Sequence, residues 1–314
     1  MPPRSPLPPR HALGAAWVRT PDRVPGEAAP WRTLGEWLRE RLPDRVDVDG
    51  LLADGRFVHQ DGTTVLDEEP YRPHTFVWFH RDLRDEPVVP GTIEVLHRDE
   101  RLVVVDKPPF LSTIPRGQHV AQSVVARLRD DLGLAELSPA HRLDRVTSGV
   151  LVLTTERRWR GAYQEMFARR AVRKTYRAVA GYRPELELPV VVRNHLAKAS
   201  GELRASVVDG APVNAETRVV LERVLGESGL AEYRLEPTTG RTHQLRMHLW
   251  GLGIPIVGDP LYPEVLDVAV DDFSTPLQLL AAKLSFTDPV DGTERSFTSR
   301  RSLPLAAEPV PDEG

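Results

Sequence analysis

One carboxylate of this chain lies in a sequence setting that suits chemistry. Asp144 stands between Arg142 and Arg145, and it is followed by Thr-Ser-Gly at 147–149 and by the apolar run 150–153. Thr, Ser and Gly favour a turn, and the apolar run predicts a buried strand. A carboxylate at the mouth of such a strand is partly desolvated beside cations, and both conditions shift the pKa and reactivity of a carboxyl group. We therefore take Asp144 as the candidate reactive group, in preference to a solvated surface ion pair.

The residues around Asp144 belong to a set of segments that resembles a known family. Residues 141–149 (HRLDRVTSG) are similar to the signature of the RluA/RluD-type pseudouridine synthases. Further segments follow the order that this family has: 103–108 (VVVDKP), 174–176 (KTY), 239–248 (TGRTHQLRMH) and 253–259 (GIPIVGD). The resemblance covers residues 91–300, and its two longest motifs are highly specific.

The resemblance implies a fold and an activity. The fold is α+β, a curved and mostly antiparallel mixed sheet with a catalytic cleft across it. The activity is that of an isomerase, an RNA pseudouridine synthase that converts specific uridines in RNA to pseudouridine. Ribosomal RNA is the favoured substrate and transfer RNA the alternative, since relatives modify both.

The chemistry of this reaction defines which side chains it needs. The glycosidic N–C bond breaks, the base turns, its C5 atom joins the sugar, and the C5 proton is removed. These steps require a carboxylate, a cation to orient it and an aromatic surface to hold the base. No redox step is involved, so we expect neither a cofactor nor a metal.

Three residues match the family's catalytic residues. Asp144 matches the essential aspartate, which acts by covalent attack or by promoting an elimination. Arg246 matches the arginine that pairs with this aspartate, and Arg241 is the alternative for the same role. A guanidinium stays charged and can grip a carboxylate with two hydrogen bonds. Tyr176 matches the tyrosine that stacks on the target base and can help to remove the C5 proton.

Other residues near these three are expected to bind the substrate. Arg142 matches the arginine that, in relatives, fills the gap left by the extruded nucleotide. Extrusion is required because the reacting bonds are inaccessible in a stacked helix. The expected substrate-binding residues are Arg142, Arg241, His141, Arg145 and Leu245. Relatives commonly have a histidine where this chain has Leu280, which we interpret as altered packing.

The composition argues against several other chemistries. The chain has 314 residues and no cysteine, which excludes disulfides, thiolate nucleophiles and zinc sites built on cysteine. A methyltransferase with a cysteine nucleophile and a zinc-dependent base deaminase are therefore disfavoured. The ten histidines include no pair at the spacing of two metal ligands on one helical turn.

The charge of the chain is unevenly distributed. The formal net charge is −4, yet residues 141–183 hold eleven Lys and Arg against three acidic residues, a local charge of +8. A basic face on an otherwise acidic protein fits a polyanionic partner, here RNA. The alternative is a solvated, arginine-rich helix without a ligand.

The chain is expected to divide into several parts. Residues 1–28 are Pro-rich and lack periodicity, which predicts a disordered arm, and a similar tail is predicted for 301–314. Residues 29–82 combine helical spacing with an Asp-Gly turn. This small domain resembles the alpha-L RNA-binding motif, with an accessory domain that makes no RNA contacts as the alternative. A linker at 81–90 precedes the catalytic domain at 90–300.

Hydrophobic periodicity predicts the elements of the catalytic domain. Strands are predicted at 93–96, 102–108, 150–153, 172–182, 215–225 and 231–235, and helices at 124–132, 155–171 and 242–252. Strands without regular βαβ alternation favour an α+β domain with a mostly antiparallel sheet. No apolar segment is long enough for a signal peptide or a membrane span, so we expect a cytoplasmic monomer that does not bind a membrane.

Two other functions fit parts of the sequence. A non-catalytic RNA-binding or ribosome-assembly factor could keep the fold, although Asp144, Tyr176 and Arg246 are all present. A Ser-His-Asp hydrolase is suggested by His141, Asp144 and Ser148. It lacks a Gly-x-Ser-x-Gly turn, and three triad members within eight residues are poorly placed for the required geometry.

Overall fold

The chain folds into two compact units. The computed structural model describes residues 3–10, 14–22, 30–44, 46–82, 86–115 and 120–307. The first unit is Met1–Asp85 and the second is Glu86–Gly314, so the division falls inside the stretch 81–90. Among the described helices, none combines the length and the apolar character needed to cross a bilayer.

The first unit combines two short helices with a two-stranded ribbon. Its elements are β1 (Ala16–Arg19), α1 (Leu34–Arg41), α2 (Val48–Ala53) and β2 (Phe76–Phe79). β1 pairs antiparallel with β2. The side chains of Thr33 and Asp47 cap α1 and α2 by accepting backbone N–H groups of the first turn. Trp37, Leu51 and Phe79 bring both helices and β2 into one buried apolar cluster.

Part of the expected N-terminal arm is a strand. The sequence predicts disorder over 1–28, but Ala16–Arg19 forms β1, and Val18 packs against the core of the first unit. The prediction is wrong here because four residues of alternating burial are too short a pattern to stand out among Pro-rich neighbours. The rest of this prediction falls partly outside the described residues, at 1–2, 11–13 and 23–29.

The second unit contains most of the regular structure. Its strands are β3 (Glu94–Arg98), β4 (Leu102–Lys107), β5 (Ser138–Pro139), β6 (Ser148–Thr154), β7 (Arg173–Gly181), β8 (Val190–Asn194), β9 (Leu196–Ala197), β10 (Ser206–Val207), β11 (Ala215–Val224), β12 (Leu230–Pro237), β13 (Leu279–Thr287) and β14 (Glu294–Thr298). Its helices are α3 (Val124–Leu132), α4 (Arg157–Ala168) and α5 (Gln244–Gly251), with a short 3₁₀ turn at Pro304–Ala306. Each helix and strand predicted for this region is present with slightly different ends.

Ten of these strands form one mixed sheet. The main order is β3-β4-β6-β13-β7-β12-β11-β8, with β14 paired to β13 and β5 paired to β6. The pairing of β6 with β13 is parallel, and the other pairings of this sheet are antiparallel. The expected α+β class with a mostly antiparallel mixed sheet is therefore confirmed.

The centre of the sheet is buried on both faces. Along β4, Val103 and Val105 belong to one apolar cluster, whereas Leu102 and Val104 belong to another. This follows from the alternation of side chains along a strand. The first cluster also takes up Leu245 and Leu249 of α5, and the second takes up Tyr163 and Met166 of α4. β4 and β6 therefore read as continuous apolar runs in the sequence.

The expected C-terminal tail begins with an anchored segment. Disorder is predicted over 301–314, yet Leu303 is buried against Val179 and Leu280, and Pro304–Ala306 forms a turn. The prediction is wrong for this part because the two leucines of this short stretch form no periodic pattern. Leu280, where relatives commonly have a histidine, is buried in the same cluster as Leu303. Residues 308–314 lie outside the described residues.

The loop that carries Asp144 is held from two sides by buried polar side chains. The Thr113 hydroxyl donates to Leu143 O at 2.8 Å and accepts from Leu143 N at 3.2 Å. The Lys107 ammonium, which has no exposed surface, donates to the carbonyls of Pro108, Leu111 and Arg145 at 2.9, 2.7 and 3.0 Å. These bonds fix the residues on either side of Asp144.

Gly149 lets β6 approach β13 directly after this loop. Its φ of +110° is a conformation that L side chains rarely adopt. A Cβ atom at this position would lie 2.3 Å from Ala281 O and 2.7 Å from Ala281 N. Both atoms are backbone atoms of β13, so the neighbour cannot move aside without disturbing the sheet. Glycine is therefore required where the catalytic loop enters the sheet.

Gly149→Ala should destabilise the second unit by about 3 kcal/mol or more, because it adds backbone strain to a clash with β13. Urea denaturation followed by tryptophan fluorescence measures this loss. Gly292→Ala is the matched control, since Gly292 has a φ of +74° but open space around it. That variant should lose only about 1 kcal/mol. Equal losses in the two variants would contradict the close approach.

Candidate active site

A pocket opens beside the loop that carries Asp144. Its empty volume is about 520 Å³, part of it open to solvent. The loop before β6, the start of β7, the end of β12 and the first turns of α5 all contribute to its walls. The lining residues are Arg142, Leu143, Asp144, Thr147, Lys174, Tyr176, Pro237, Thr239, Gly240, Arg241, His243, Gln244, Leu245, Arg246 and Leu279.

The Asp144 carboxylate is only lightly engaged by the protein. Its side chain is 34% exposed, and its Oδ2 atom lies 3.5 Å from Nη1 of Arg246. Within the described residues no hydrogen bond occupies either carboxylate oxygen. A carboxylate that is held by one cation and otherwise open to a pocket is available to a substrate.

Arg246 is fixed by a second carboxylate that sequence reasoning did not select. Its Nε donates to Asp259 Oδ2 at 2.7 Å, and its Nη2 donates to Asp259 Oδ1 at 2.5 Å. Both side chains are at most 2% exposed. Burial alone would lower the pKa of Arg246, but the hydrogen bonds and the charge of Asp259, together with the charge of Asp144, raise the pKa above its ordinary value. The expected pairing of Arg246 with Asp144 is present, as the weaker of its two contacts.

Asp259 could have been found from its position in the sequence. It follows Gly258 at the end of the apolar run 254–257, within one of the segments that carry the family resemblance. A lone acidic residue at the end of an apolar run needs a buried partner. The sequence does not reveal that this partner is Arg246.

Tyr176 lines the pocket from β7. Burial raises the pKa of its hydroxyl group, and the negative charge of Asp144 raises it further. The phenol therefore stays protonated at neutral pH. On the same strand, the Lys174 ammonium donates to Thr239 O at 2.6 Å, and burial lowers the pKa of Lys174 to about 8.

His243 is a further pocket residue that sequence reasoning did not select. It precedes α5 with a left-handed backbone conformation, φ +57° and ψ +19°. Its Nδ1 atom lies 3.0 Å from the Tyr262 hydroxyl, which accepts a hydrogen bond from Ala205 N at 2.8 Å. Burial lowers the pKa of His243 to about 4, although the charge of Asp144 acts in the opposite direction. The imidazole is neutral at physiological pH.

Gln244 holds the turn that leads into α5. Its amide oxygen accepts from the Thr239 hydroxyl at 2.7 Å and from Arg241 N at 3.0 Å. Its amide nitrogen donates to Glu216 O and to the Thr217 hydroxyl, both at 2.9 Å. All four polar positions of a buried amide are thereby used, so the turn has one conformation.

Most of the predicted site residues meet at this pocket. Asp144, Tyr176 and Arg246 line it together, as do Arg142, Arg241 and Leu245. Arg241 is exposed, and its Nε donates to Asn214 O at 3.3 Å, so it is not the main partner of Asp144. The roles assigned to these residues remain predictions.

Two predicted substrate-binding residues do not line the pocket. The ring of His141 stacks on Phe167 at 4.4 Å, its Nε2 accepts a hydrogen bond from Val152 N at 3.2 Å, and burial lowers its pKa to about 3. Arg145 lies over the ring of Phe110 at 5.9 Å, and burial lowers its pKa. Neither side chain lies in the lining of this pocket, and the substrate-binding role expected for each remains a prediction.

The same geometry removes the hydrolase alternative. The Ser148 hydroxyl is buried and donates to Leu279 O at 3.3 Å. The Nε2 atom of His141 already accepts a hydrogen bond from Val152 N of β6. Neither side chain contacts Asp144.

In the part of the chain that the structure describes, no group of three or more His, Asp or Glu side chains is arranged to hold a metal ion.

The chain is similar to several known proteins. A family model described as RNA pseudouridylate synthase matches residues 101–250. RNA pseudouridine synthase 7 of Oryza sativa is 31% identical over 71% of this chain and 56% of the rice protein, so the match spans about half of that relative. An uncharacterized RNA pseudouridine synthase of Synechocystis is 34% identical over 72% of this chain and 73% of its own length. The dual-specificity RNA pseudouridine synthase RluA of Yersinia pestis is 33% identical over 65% of this chain and 96% of its own length.

Two solved human structures are also similar. RNA Pseudouridylate Synthase Domain Containing 1 has a TM-score of 0.53 and 24% identity, and covers 72% of this chain and all of that one. RNA Pseudouridylate Synthase Domain Containing 4 has a TM-score of 0.51 and 27% identity, and covers 67% of this chain and 88% of that one. Since the sheet and the sequence relationships agree, the chain belongs to the RluA-type family of RNA pseudouridine synthases, isomerases that convert uridine in RNA to pseudouridine.

Proposed function

We propose that this chain isomerises a uridine in structured RNA, with Asp144 as the carboxylate that reacts with the sugar. The observation that carries this proposal is the open Asp144 carboxylate, 3.5 Å from an arginine that Asp259 holds in place. A charged, immobile guanidinium can orient the carboxylate in the pocket. The pocket is open to solvent, so that an extruded nucleotide can enter it from outside.

Tyr176 and Arg142 take complementary roles in this proposal. Tyr176 supplies an aromatic surface next to Asp144, and its raised pKa makes the phenol a hydrogen-bond donor in place of a base. Arg142 is exposed at the pocket, and no ion pair or hydrogen bond within the described residues restrains its side chain. A free arginine at the mouth of the site is suited to fill the gap that the extruded base leaves.

Some cations of the basic segment are paired with acidic residues and others are not. Arg158, on α4, pairs with Glu100 and Glu156, and Arg169, directly after α4, pairs with Glu165. By contrast, the described structure pairs no acidic residue with Arg142, which lines the pocket, or with Arg170 and Arg173, which precede the pocket residue Lys174 in sequence; we call these three the rim arginines. All three are exposed. We infer that the RNA backbone contacts this rim.

The class of RNA follows less directly from the structure. We propose ribosomal RNA because the first unit has the two helices and the hairpin turn of an alpha-L-like domain. Charge gives this preference little support, since Arg39 and Arg56 of that unit are paired with Asp49, Asp67 and Asp82. Transfer RNA is the alternative substrate, and one of the similar proteins is named a mitochondrial tRNA pseudouridine(32) synthase from yeast.

Asp144→Asn should abolish the activity, because it removes the negative charge while keeping the size of the side chain. We expect pseudouridine formation to fall by about 10²–10⁴-fold, as measured by tritium release from RNA labelled at uridine C5. The melting temperature should stay near that of the unchanged protein, since a third of this side chain is exposed. Asp209→Asn, which changes an exposed aspartate outside the pocket, is the control. Normal release from Asp144→Asn would remove this residue from the mechanism.

Replacing Arg170 and Arg173 together by Gln should weaken RNA binding and lower the dependence of log affinity on log salt by about 1–2, since each lost phosphate contact removes about one released counterion. Filter binding of a substrate stem-loop at several salt concentrations measures the slope. Arg158→Gln is the matched control, because Arg158 is already ion-paired on α4. An equal change of slope in both proteins would contradict the assignment of the rim.

Mapping pseudouridines across all RNAs of a deletion strain should show the loss of one or more sites in ribosomal RNA. Complementation with the intact gene should restore those sites, and complementation with Asp144→Asn should not. Loss confined to transfer RNA would overturn the proposed substrate and leave the proposed chemistry intact.

A further inference from the structure

We propose that His243 is a further catalytic residue, a neutral imidazole whose Nε2–H donates a hydrogen bond to a carbonyl oxygen of the uracil as the glycosidic bond breaks. This inference rests on the proposed function, because it assigns a step of the same reaction. It concerns the leaving base, whereas Asp144 and Arg246 act on the sugar side.

The hydrogen bonds around Tyr262 determine which nitrogen of His243 carries the hydrogen. Tyr262 is 1% exposed, so its phenol hydrogen needs a protein acceptor. Its oxygen already accepts a hydrogen bond from Ala205 N, and within the described residues the only acceptor that it meets is His243 Nδ1, 3.0 Å away. Nδ1 is therefore the unprotonated nitrogen, and the hydrogen of the neutral ring lies on Nε2.

The surroundings of His243 keep the ring neutral. Burial disfavours the imidazolium form, and the cations of Arg246 and Lys198 disfavour it as well. Asp144 and Asp259 act in the opposite direction, without restoring the ordinary pKa. A neutral donor lends a hydrogen bond to a developing negative charge and keeps its own proton, as the neutral histidine of triosephosphate isomerase does.

The position of His243 leaves its Nε2 atom available at the pocket. The ring lines the same pocket as Asp144 and Tyr176, and no hydrogen bond from the described residues occupies Nε2. The ring meets Tyr262 edge-on, at 5.7 Å and 82° between the planes, so its orientation is fixed. A left-handed backbone is strained at a histidine, and such strain is kept where the surrounding structure imposes it.

The chemistry of the leaving base calls for such a donor. When the N1–C1′ bond breaks, its electron pair stays on the uracil, and the negative charge spreads over the ring nitrogens and the two carbonyl oxygens. A hydrogen bond from Nε2 stabilises this anion without a proton transfer. After C5 has bonded to C1′, the C5 proton is lost and N1 gains a proton, so that the product has the composition of the substrate.

The test compares uridine with 5-fluorouridine at the target position. Fluorine withdraws electrons and makes the departing base a more stable anion, so that it depends less on a hydrogen-bond donor. His243→Ala should slow consumption of uridine by about 10²-fold in single-turnover assays, measured by nuclease digestion and mass spectrometry. Consumption of 5-fluorouridine should slow at least tenfold less. His243→Gln, which keeps an N–H donor, should recover part of the uridine rate, and the affinity for RNA should be unchanged in both variants.

Several outcomes would overturn the assignment. Equal losses with both nucleosides indicate a structural role, and a uridine rate within about threefold of normal leaves His243 without a role. Should His243→Ala have a lowered melting temperature, Tyr262→Phe replaces it, because that variant keeps the imidazole and removes the hydroxyl that bonds Nδ1 of His243 and Ala205 N. A selective loss on uridine supports the proposal, and an equal loss refutes it. His97→Ala, on β3, is the control. If the wild-type protein itself makes no pseudouridine, the proposed function is wrong, and this result is distinct from a failure of the His243 assignment.

Discussion

The buried pair of Arg246 and Asp259 determines the geometry of the site. Desolvating two charges is costly, and the cost is offset only when the hydrogen bonds are well formed. Here two parallel bonds hold the guanidinium, and Asp259 Oδ1 also accepts from Leu261 N and Tyr262 N. One carboxylate thus fixes both the arginine that faces Asp144 and the backbone that carries Tyr262. Tyr262 in turn hydrogen-bonds His243. Arg246, proposed for the sugar side of the glycosidic bond, and His243, proposed for the base side, therefore both depend on Asp259.

The loop that carries Asp144 depends on a second buried basic side chain. Lys107 is fully buried; burial lowers its pKa, and the charge of Asp144 acts in the opposite direction and favours the ammonium form. Three carbonyl oxygens take its three hydrogens, one of them from Arg145, so the ammonium group works as a cross-link between β4 and the Asp144 loop. These bonds hold the loop in place and leave the Asp144 carboxylate unengaged. A reactive group can remain exposed only if other groups hold its backbone.

The sequence predicts elements better than it predicts contacts. Periodicity identifies β4, α4 and α5, because their burial depends on residues a few positions apart. It does not identify the bond between Arg246 and Asp259, since the loop after α5 must fold back before the two meet. His141 shows how far sequence neighbours can diverge: it is adjacent to the pocket residue Arg142, yet its ring stacks on Phe167 and accepts a hydrogen bond from β6. Neighbours in a motif can therefore serve the fold and the chemistry separately.

A count of charged residues along the sequence overestimates how many cations are available to a ligand. The basic segment 141–183 carries +8, but Arg158 pairs with Glu100 from outside the segment, and Arg169 pairs with Glu165 inside it. Exposed pairs of this kind contribute little stability, but they remove cations from the surface that a polyanion meets. The rim arginines have no acidic partner within the described residues. A protein of net negative charge can bind RNA through such arginines, since counterion release needs only the few charges that contact phosphates.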